Sequence, residues 1–147
     1  MNGEPLEILV GEDKPGDVRQ IREAFRSSKV RNTLRVASDG VEAVELLKTS
    51  LEADSDVVRP DLIFLDLKMP RKSGHEVLEE IKSIDGLKRI PVVVLTSSDA
   101  EEDVVRSYDR QASAYVTKPI GLEGLRKVVR SIDRFWFSVV RLPENEE

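Results

Sequence analysis

The carboxylates of Glu12, Asp13 and Asp66, the hydroxyls of Thr96 and Ser97 and the ammonium of Lys118 each stand where a short apolar run stops. Three carboxylates brought together repel one another and take up protons unless a cation neutralises them, so the set argues for a hard metal ion held by oxygen. Magnesium is the natural candidate, with manganese able to substitute, because the chain has no cysteine and a single histidine, His75. A carboxylate can also attack phosphorus and form an acyl phosphate, provided cations and donors neutralise the phosphoryl oxygens as charge moves. Asp66 then reads as the nucleophile, with Lys118 and Thr96 beside the metal. One acid at a strand end is more often a turn former or a helix cap, but capping does not account for Lys118 in the same set.

These residues converge only if the apolar runs are strands of one sheet. The runs Leu6–Val10, Leu34–Ala37, Leu62–Leu67, Val92–Leu95 and Ala114–Val116 have strand length and are bounded by Gly, Pro, Asp or Ser. Leu62, Ile63, Phe64 and Leu65 are continuously apolar, which suits a strand of a parallel sheet covered on both faces. Helical spacing fills the intervals: Val18, Ile21 and Phe25; Val44 and Leu47; Val77, Leu78 and Ile81; Val104, Val105 and Tyr108; and a last helix with Leu125, Val128, Val129, Ile132 and Trp136. The alternation predicts an α/β fold of the doubly wound, flavodoxin-like kind, with five parallel strands in the order 2-1-3-4-5 and five helices. In such sheets the functional crevice lies beyond the carboxyl ends of the strands, where the reactive set stands.

A length of 147 residues suits a single domain over 1–147, with a core at about 6–133 and the last helix and tail running on to 147. Charged residues at 35% and apolar ones at 39% fit a soluble globular chain that can build a core. A net charge of −5, with no concentration of Lys and Arg, predicts no nucleic-acid partner. No stretch approaches the roughly 20 apolar residues that span a bilayer, and the start lacks a basic segment followed by an apolar run. A cytoplasmic protein with no membrane partner is expected.

The set Glu12-Asp13, Asp66 within Leu65-Asp66-Leu67-Lys68-Met69-Pro70 and followed by Gly74, Thr96 and Lys118-Pro119 resembles the receiver domain of two-component response regulators, over about Glu7 to Asp133. The resemblance implies that Asp66 is the phosphoacceptor, served by a sensor histidine kinase. It implies that Asp13 and Asp66 bind magnesium directly, with Glu12 holding a metal-bound water and the backbone carbonyl of Lys68 completing the ligands. Thr96 resembles the switch hydroxyl, Tyr115 occupies the aromatic switch position and Lys118 matches the phosphate-contacting lysine. The Lys118-Pro119 bond would be cis, an isomer that ordinarily needs a proline. Phosphorylation would draw in Thr96, let Tyr115 turn inward and alter the face made by the fourth helix, the fifth strand and the fifth helix. Glu12 stands where Asp is the commoner family residue, and it preserves charge and oxygen ligation. Ile90–Ser98 and Asp133–Pro143 resemble the small regulators paired with bacterial phytochrome kinases, so light is a candidate stimulus.

Phe135, Trp136 and Phe137 are consecutive, and at about 100° per residue they spread round a helix, so they cannot all face one core. A partner surface is expected there, and relatives with this tail suggest a homodimer. His75 lacks a second histidine nearby and reads as a surface residue. Lys14-Pro15-Gly16-Asp17 reads as turn and cap chemistry at the entry to the first helix, and a place for the kinase to dock. The Leu51–Arg59 loop and the Glu144–Glu147 tail read as solvated connectors.

Two other classes share part of this chemistry. Phosphohydrolases of the haloacid-dehalogenase class use an Asp nucleophile with a second Asp two residues on as general acid, and here that position is Lys68, so turnover on external substrates is not expected. A receiver-like adaptor that is never phosphorylated, or a flavin binder, is the binding-module alternative. The chain lacks the Ser/Thr/Gly-rich loop after its first strand that would seat a flavin phosphate.

Overall fold

The computed structural model describes residues 5–97, 112–118 and 120–136, and for Phe135 and Trp136 the backbone alone. Its strands form where the apolar runs lie: β1 (Leu6–Gly11), β2 (Asn32–Ala37), β3 (Leu62–Asp66), β4 (Val92–Thr96) and β5 (Ala114–Thr117). All pair in parallel in the order β2-β1-β3-β4-β5. The sequence of types and the strand order are those of a flavodoxin-like fold, as expected.

Four helices lie among the described residues: α1 (Pro15–Arg26), α2 (Gly40–Thr49), α3 (Gly74–Lys82) and α4 (Gly121–Trp136). The last of these is the fifth helix of the sequence pattern. The expected fourth helix, with Val104, Val105 and Tyr108, falls outside the described residues.

Alternation along each strand divides the core in two. Leu62 and Phe64 face one side of the sheet with Ile21, Phe25, Leu125 and Val129, so α1 and α4 cover that face. Ile63 and Leu65 face the other, against Val44, Leu47, Val77 and Ile81 from α2 and α3. All five residues of β3 and of β4 are buried, which is why both read as unbroken apolar runs. β2 is an edge strand with alternate residues exposed, and its polar first residues Asn32 and Thr33 pair with Leu6 and Glu7. Phe25 of α1 meets Phe64 of β3 edge to face, the ring centres 5.5 Å apart.

Local signals start the helices. Asp39 caps α2 by accepting from the Glu42 amide, and Ser73 with Glu76 forms a reciprocal capping box on α3. α1 begins with Pro15 in its first turn, but its N-cap residue Lys14 makes no side-chain cap bond. No described helix is long and apolar enough to cross a membrane.

Candidate functional site

The parallel register carries the chain ends of β1, β3, β4 and β5 to one edge of the sheet. Gly11 pairs with Leu65, Asp66 with Leu95, and Thr96 with Thr117. Glu12 and Asp13 therefore leave β1 beside Asp66, and Lys118 leaves β5 beside Thr96. The backbone amide of Lys118 donates to the Thr96 carbonyl at 2.6 Å, and that of Leu67 to the Leu95 carbonyl at 3.0 Å, extending the ladder to the rim.

Asp66 is buried, and both its oxygens are engaged. Oδ1 accepts from the Lys68 amide at 3.0 Å, and Oδ2 from Lys118 Nζ at 2.9 Å. The first contact needs the chain to turn sharply after β3. That turn is fixed by Gly74, whose amide donates to the Leu67 carbonyl at 2.9 Å. A Cβ at Gly74 would collide with the Asp66 carbonyl oxygen, so glycine is required for α3 to begin so close to the strand end. Farther along the same loop, Arg71 takes a left-handed φ of 70° and its Nη1 reaches Asp39 at 3.1 Å, tying the loop to the start of α2.

Lys118 Nζ donates to three carboxylates: Asp17 at 2.7 Å, Asp66 at 2.9 Å and Glu12 at 3.0 Å. The Lys118 side chain is 16% exposed, and those of Glu12 and Asp66 are 0% and 3% exposed. Burial works against the ammonium, but its bonds to Asp17, Asp66 and Glu12 outweigh that and hold its pKa above the ordinary lysine value. Glu12 moves to about 7, chiefly because burial disfavours its charge and because Asp66 lies beside it; Lys118 opposes the shift without cancelling it.

One carboxylate oxygen from each of Glu12, Asp13 and Asp66 lies within 4.8 Å of the others. Asp13 Oδ1 is buried and meets no donor. A buried acceptor without a donor, in a cluster whose ligand atoms are all oxygen and whose negative charge exceeds what one lysine supplies, fits a hard divalent cation. The cluster could hold such an ion, as the sequence implied.

Thr96 is fully buried at the end of β4, and Tyr115, half-buried in β5, packs against the core on the α2 and α3 side. Lys68 is exposed, and His75 is half-buried in the first turn of α3. The predicted set Glu12, Asp13, Asp66, Thr96 and Lys118 is thus gathered at one rim. Pro119, Phe137, the side chains of Phe135 and Trp136, and the 144–147 tail lie outside the described residues.

One reading is corrected. Of Lys14–Asp17, Pro15 does open α1, but Asp17 caps nothing; its carboxylate goes to Lys118, while the Lys14 amide goes to Glu12 Oε2 at 3.3 Å. The sequence carried one available signal for this, an acid in the first turn of a helix that starts two residues after the acidic pair. Its partner lies 101 residues away, and spacing alone does not reveal it. A cavity of about 440 Å³ opens beside Lys118, lined by Asp17, Gln20, Ser97 and Ile120 among others.

A flavodoxin-like sheet with an acidic pair after β1, a buried Asp ending β3, a buried hydroxyl ending β4 and a lysine just past β5 defines a receiver domain. The chain belongs to the response regulator receiver domain family, whose pattern matches residues 8–130. It is 43% identical over 139 residues to the response regulator Rcp1 of Synechocystis sp., covering 95% of this chain and 94% of that protein. Among solved structures it resembles the phosphorylated cyanobacterial phytochrome response regulator RcpA, with a TM-score of 0.78 and 42% identity over 93% of this chain and 97% of that one. It also resembles the Mn²⁺-bound form of Rcp1, with a TM-score of 0.76 and 42% identity over 92% and 97% of the two chains. The bacteriophytochrome response regulator AtBRR follows the same fold at 37% identity and a TM-score of 0.75, over 91% of this chain and 96% of that one. Receiver-domain response regulators are signalling proteins of two-component systems, not turnover enzymes.

Proposed function

We propose that Asp66 accepts a phosphoryl group from a sensor histidine kinase and that the chain signals as one receiver domain through a change in its surface. The observation that carries this reading is the state of Asp66: buried, gripped on one oxygen by Lys118 and on the other by the Lys68 amide, and part of a carboxylate cluster fit for a cation. In the transfer, an Asp66 oxygen bonds to phosphorus as the bond from phosphorus to the kinase histidine nitrogen breaks, and the electron pair stays on the ring. Lys118 gives up its hold on Asp66 and donates to the phosphoryl oxygens.

Glu12, Asp13, Asp66 and the Lys68 carbonyl would hold magnesium, or manganese as in the Rcp1 structure, and the ion supplies charge neutralisation for the phosphoryl oxygens. Thr96, buried at the adjacent strand end, turns its hydroxyl toward the phosphoryl group, and Tyr115 moves inward on the same sheet edge. The altered face, built on β5 and α4, is the output surface. The likeness to the cyanobacterial phytochrome response regulator RcpA and the bacteriophytochrome response regulator AtBRR favours a phytochrome-type kinase as the source of the phosphoryl group. The segment Phe135–Phe137 serves as a homodimer surface, and the protein works in the cytoplasm.

The test is to incubate the protein and Asp66→Asn with magnesium and acetyl phosphate and compare intact masses. A phosphoryl adduct on the wild type alone is expected. A folded wild-type protein that binds magnesium yet gains no adduct would sink this reading in favour of an adaptor that is never phosphorylated.

A further inference from the structure

Asp17 stands in the first turn of α1 but makes no capping bond there. α1 has no side-chain cap, and the N-cap amide of Lys14 is met by Glu12 rather than by Asp17. α3 shows the contrast, since its acid at the equivalent turn, Glu76, reaches back to its N-cap amide at 2.9 Å. Asp17 instead makes the shortest of the three bonds to Lys118, at 2.7 Å. It differs from the other two partners in exposure: its side chain is 36% exposed, and Glu12 and Asp66 are buried. Water can therefore take over the Asp17 carboxylate when Lys118 leaves it, so the contact is reversible at low cost. Asp17 also lines the cavity that opens onto Lys118, together with Glu12 and Lys14, so its charge bears on an anionic donor approaching by that route.

We propose that Asp17 is a positioning residue that restrains Lys118 and tempers phosphoryl uptake at Asp66. The inference rests on the reading of Asp66 as phosphoacceptor. An ammonium that must meet the phosphoryl oxygens is held here by a carboxylate whose charge also opposes theirs, within two hydrogen-bond lengths of Asp66. Glu12 and Asp66 still anchor Lys118 when Asp17 is neutralised, so its removal frees the ammonium charge without releasing the side chain.

The experiment compares wild type, Asp17→Asn and Asp17→Glu in the rate of adduct formation with acetyl phosphate and magnesium, at low and at high salt. Asp17→Asn should take up phosphoryl about threefold to tenfold faster at low ionic strength, as expected for losing one opposing charge at this range. The gain should shrink in high salt, a response that a merely structural role would not produce. Asp17→Glu should stay near wild type. Uptake by Asp17→Asn at the wild-type rate or slower, or a gain indifferent to salt, would overturn the proposal.

A second measurement needs no phosphorylation. Acetylation of Lys118 by N-hydroxysuccinimidyl acetate, followed by peptide mass, should be faster in Asp17→Asn and restored in Asp17→Glu; an unchanged rate would remove the contact on which the idea stands. If wild type takes no phosphoryl group while Lys118 labelling behaves as expected, the reading of Asp66 fails and the restraint on uptake falls with it. An adduct on wild type without acceleration in Asp17→Asn defeats the Asp17 proposal alone.

Discussion

Two lysine and carboxylate networks in this molecule use the same chemistry in opposite proportions. At the strand ends one ammonium, Lys118, serves three carboxylates, two of them buried. On the outer face of α2 and α3 one carboxylate, Glu80, serves two ammoniums, Lys72 at 2.8 Å and Lys48 at 3.0 Å, all of them in reach of water. Water dissipates any charge imbalance in the second network, and each partner there could be lost cheaply. In the first, burial leaves an excess of negative charge that only protons or a cation can offset. The difference separates a site from a surface strap: the composition is alike, and the environment decides which one is poised to bind an ion.

The largest expected break in this contrast comes from Lys118→Met. Removing the one ammonium leaves Glu12 and Asp66 buried without a counter-charge, and such losses cost about 3–5 kcal/mol. Urea unfolding of the metal-free protein should show a loss near the lower end of that range, reduced by magnesium. A loss below about 1 kcal/mol would mean that the carboxylates do not depend on Lys118 for neutralisation.

The next effect is one of pH. With its pKa raised to about 7 from the ordinary 4.5, Glu12 contributes stability to the metal-free fold that is fully present below about 4.5 and is lost as pH rises through about 7. If Glu12 serves the ion in its charged form, magnesium binding displaces that proton, and its affinity should fall by up to about tenfold per pH unit below 7 and level off above it. Calorimetric titrations from pH 5.5 to 8 check this, and a flat affinity across that window would contradict the assignment of Glu12 to the ion site. Magnesium should also flatten the fall in melting temperature between pH 5 and 8.

The smallest effect belongs to the exposed network. The bond to Lys72 holds the Glu80 carboxyl below its ordinary pKa, so its contribution is present at neutral pH and fades as pH falls through that lowered value. Glu80→Gln should lower the melting temperature by about 2 °C or less, and the difference should vanish in ~1 M salt. A drop as large as that of Lys118→Met would erase the distinction between the two networks.

Much of this is legible in the sequence. Four of the five strands were read to within one residue at each end because their apolar runs are short and sharply bounded; β2 begins two residues earlier than its run, since an edge strand can carry polar Asn32 and Thr33. The strand-end set was legible because parallel pairing sends every carboxyl end to the same rim. Asp17 was misread because a first-turn acid after Lys14-Pro15-Gly16 has a local explanation, and local explanations carry no information about a partner on β5. The near-neutral pKa of Glu12 was equally out of reach, since it depends on complete burial beside Asp66.

By itself the sequence determined the kinds of groups at the rim and the alternation of elements that brings them there, because hydrophobic period and strand length are local properties of the chain. Only the tertiary structure decided how those groups share their charges. Lys118 has a flexible stem and three donors, and nothing local selects its acceptors. The pairing of β1 with β3, the packing of α1 against α4 and the tight start of α3 at Gly74 set Glu12, Asp17 and Asp66 around one nitrogen, and burial then turned a count of charges into a site that could hold a cation.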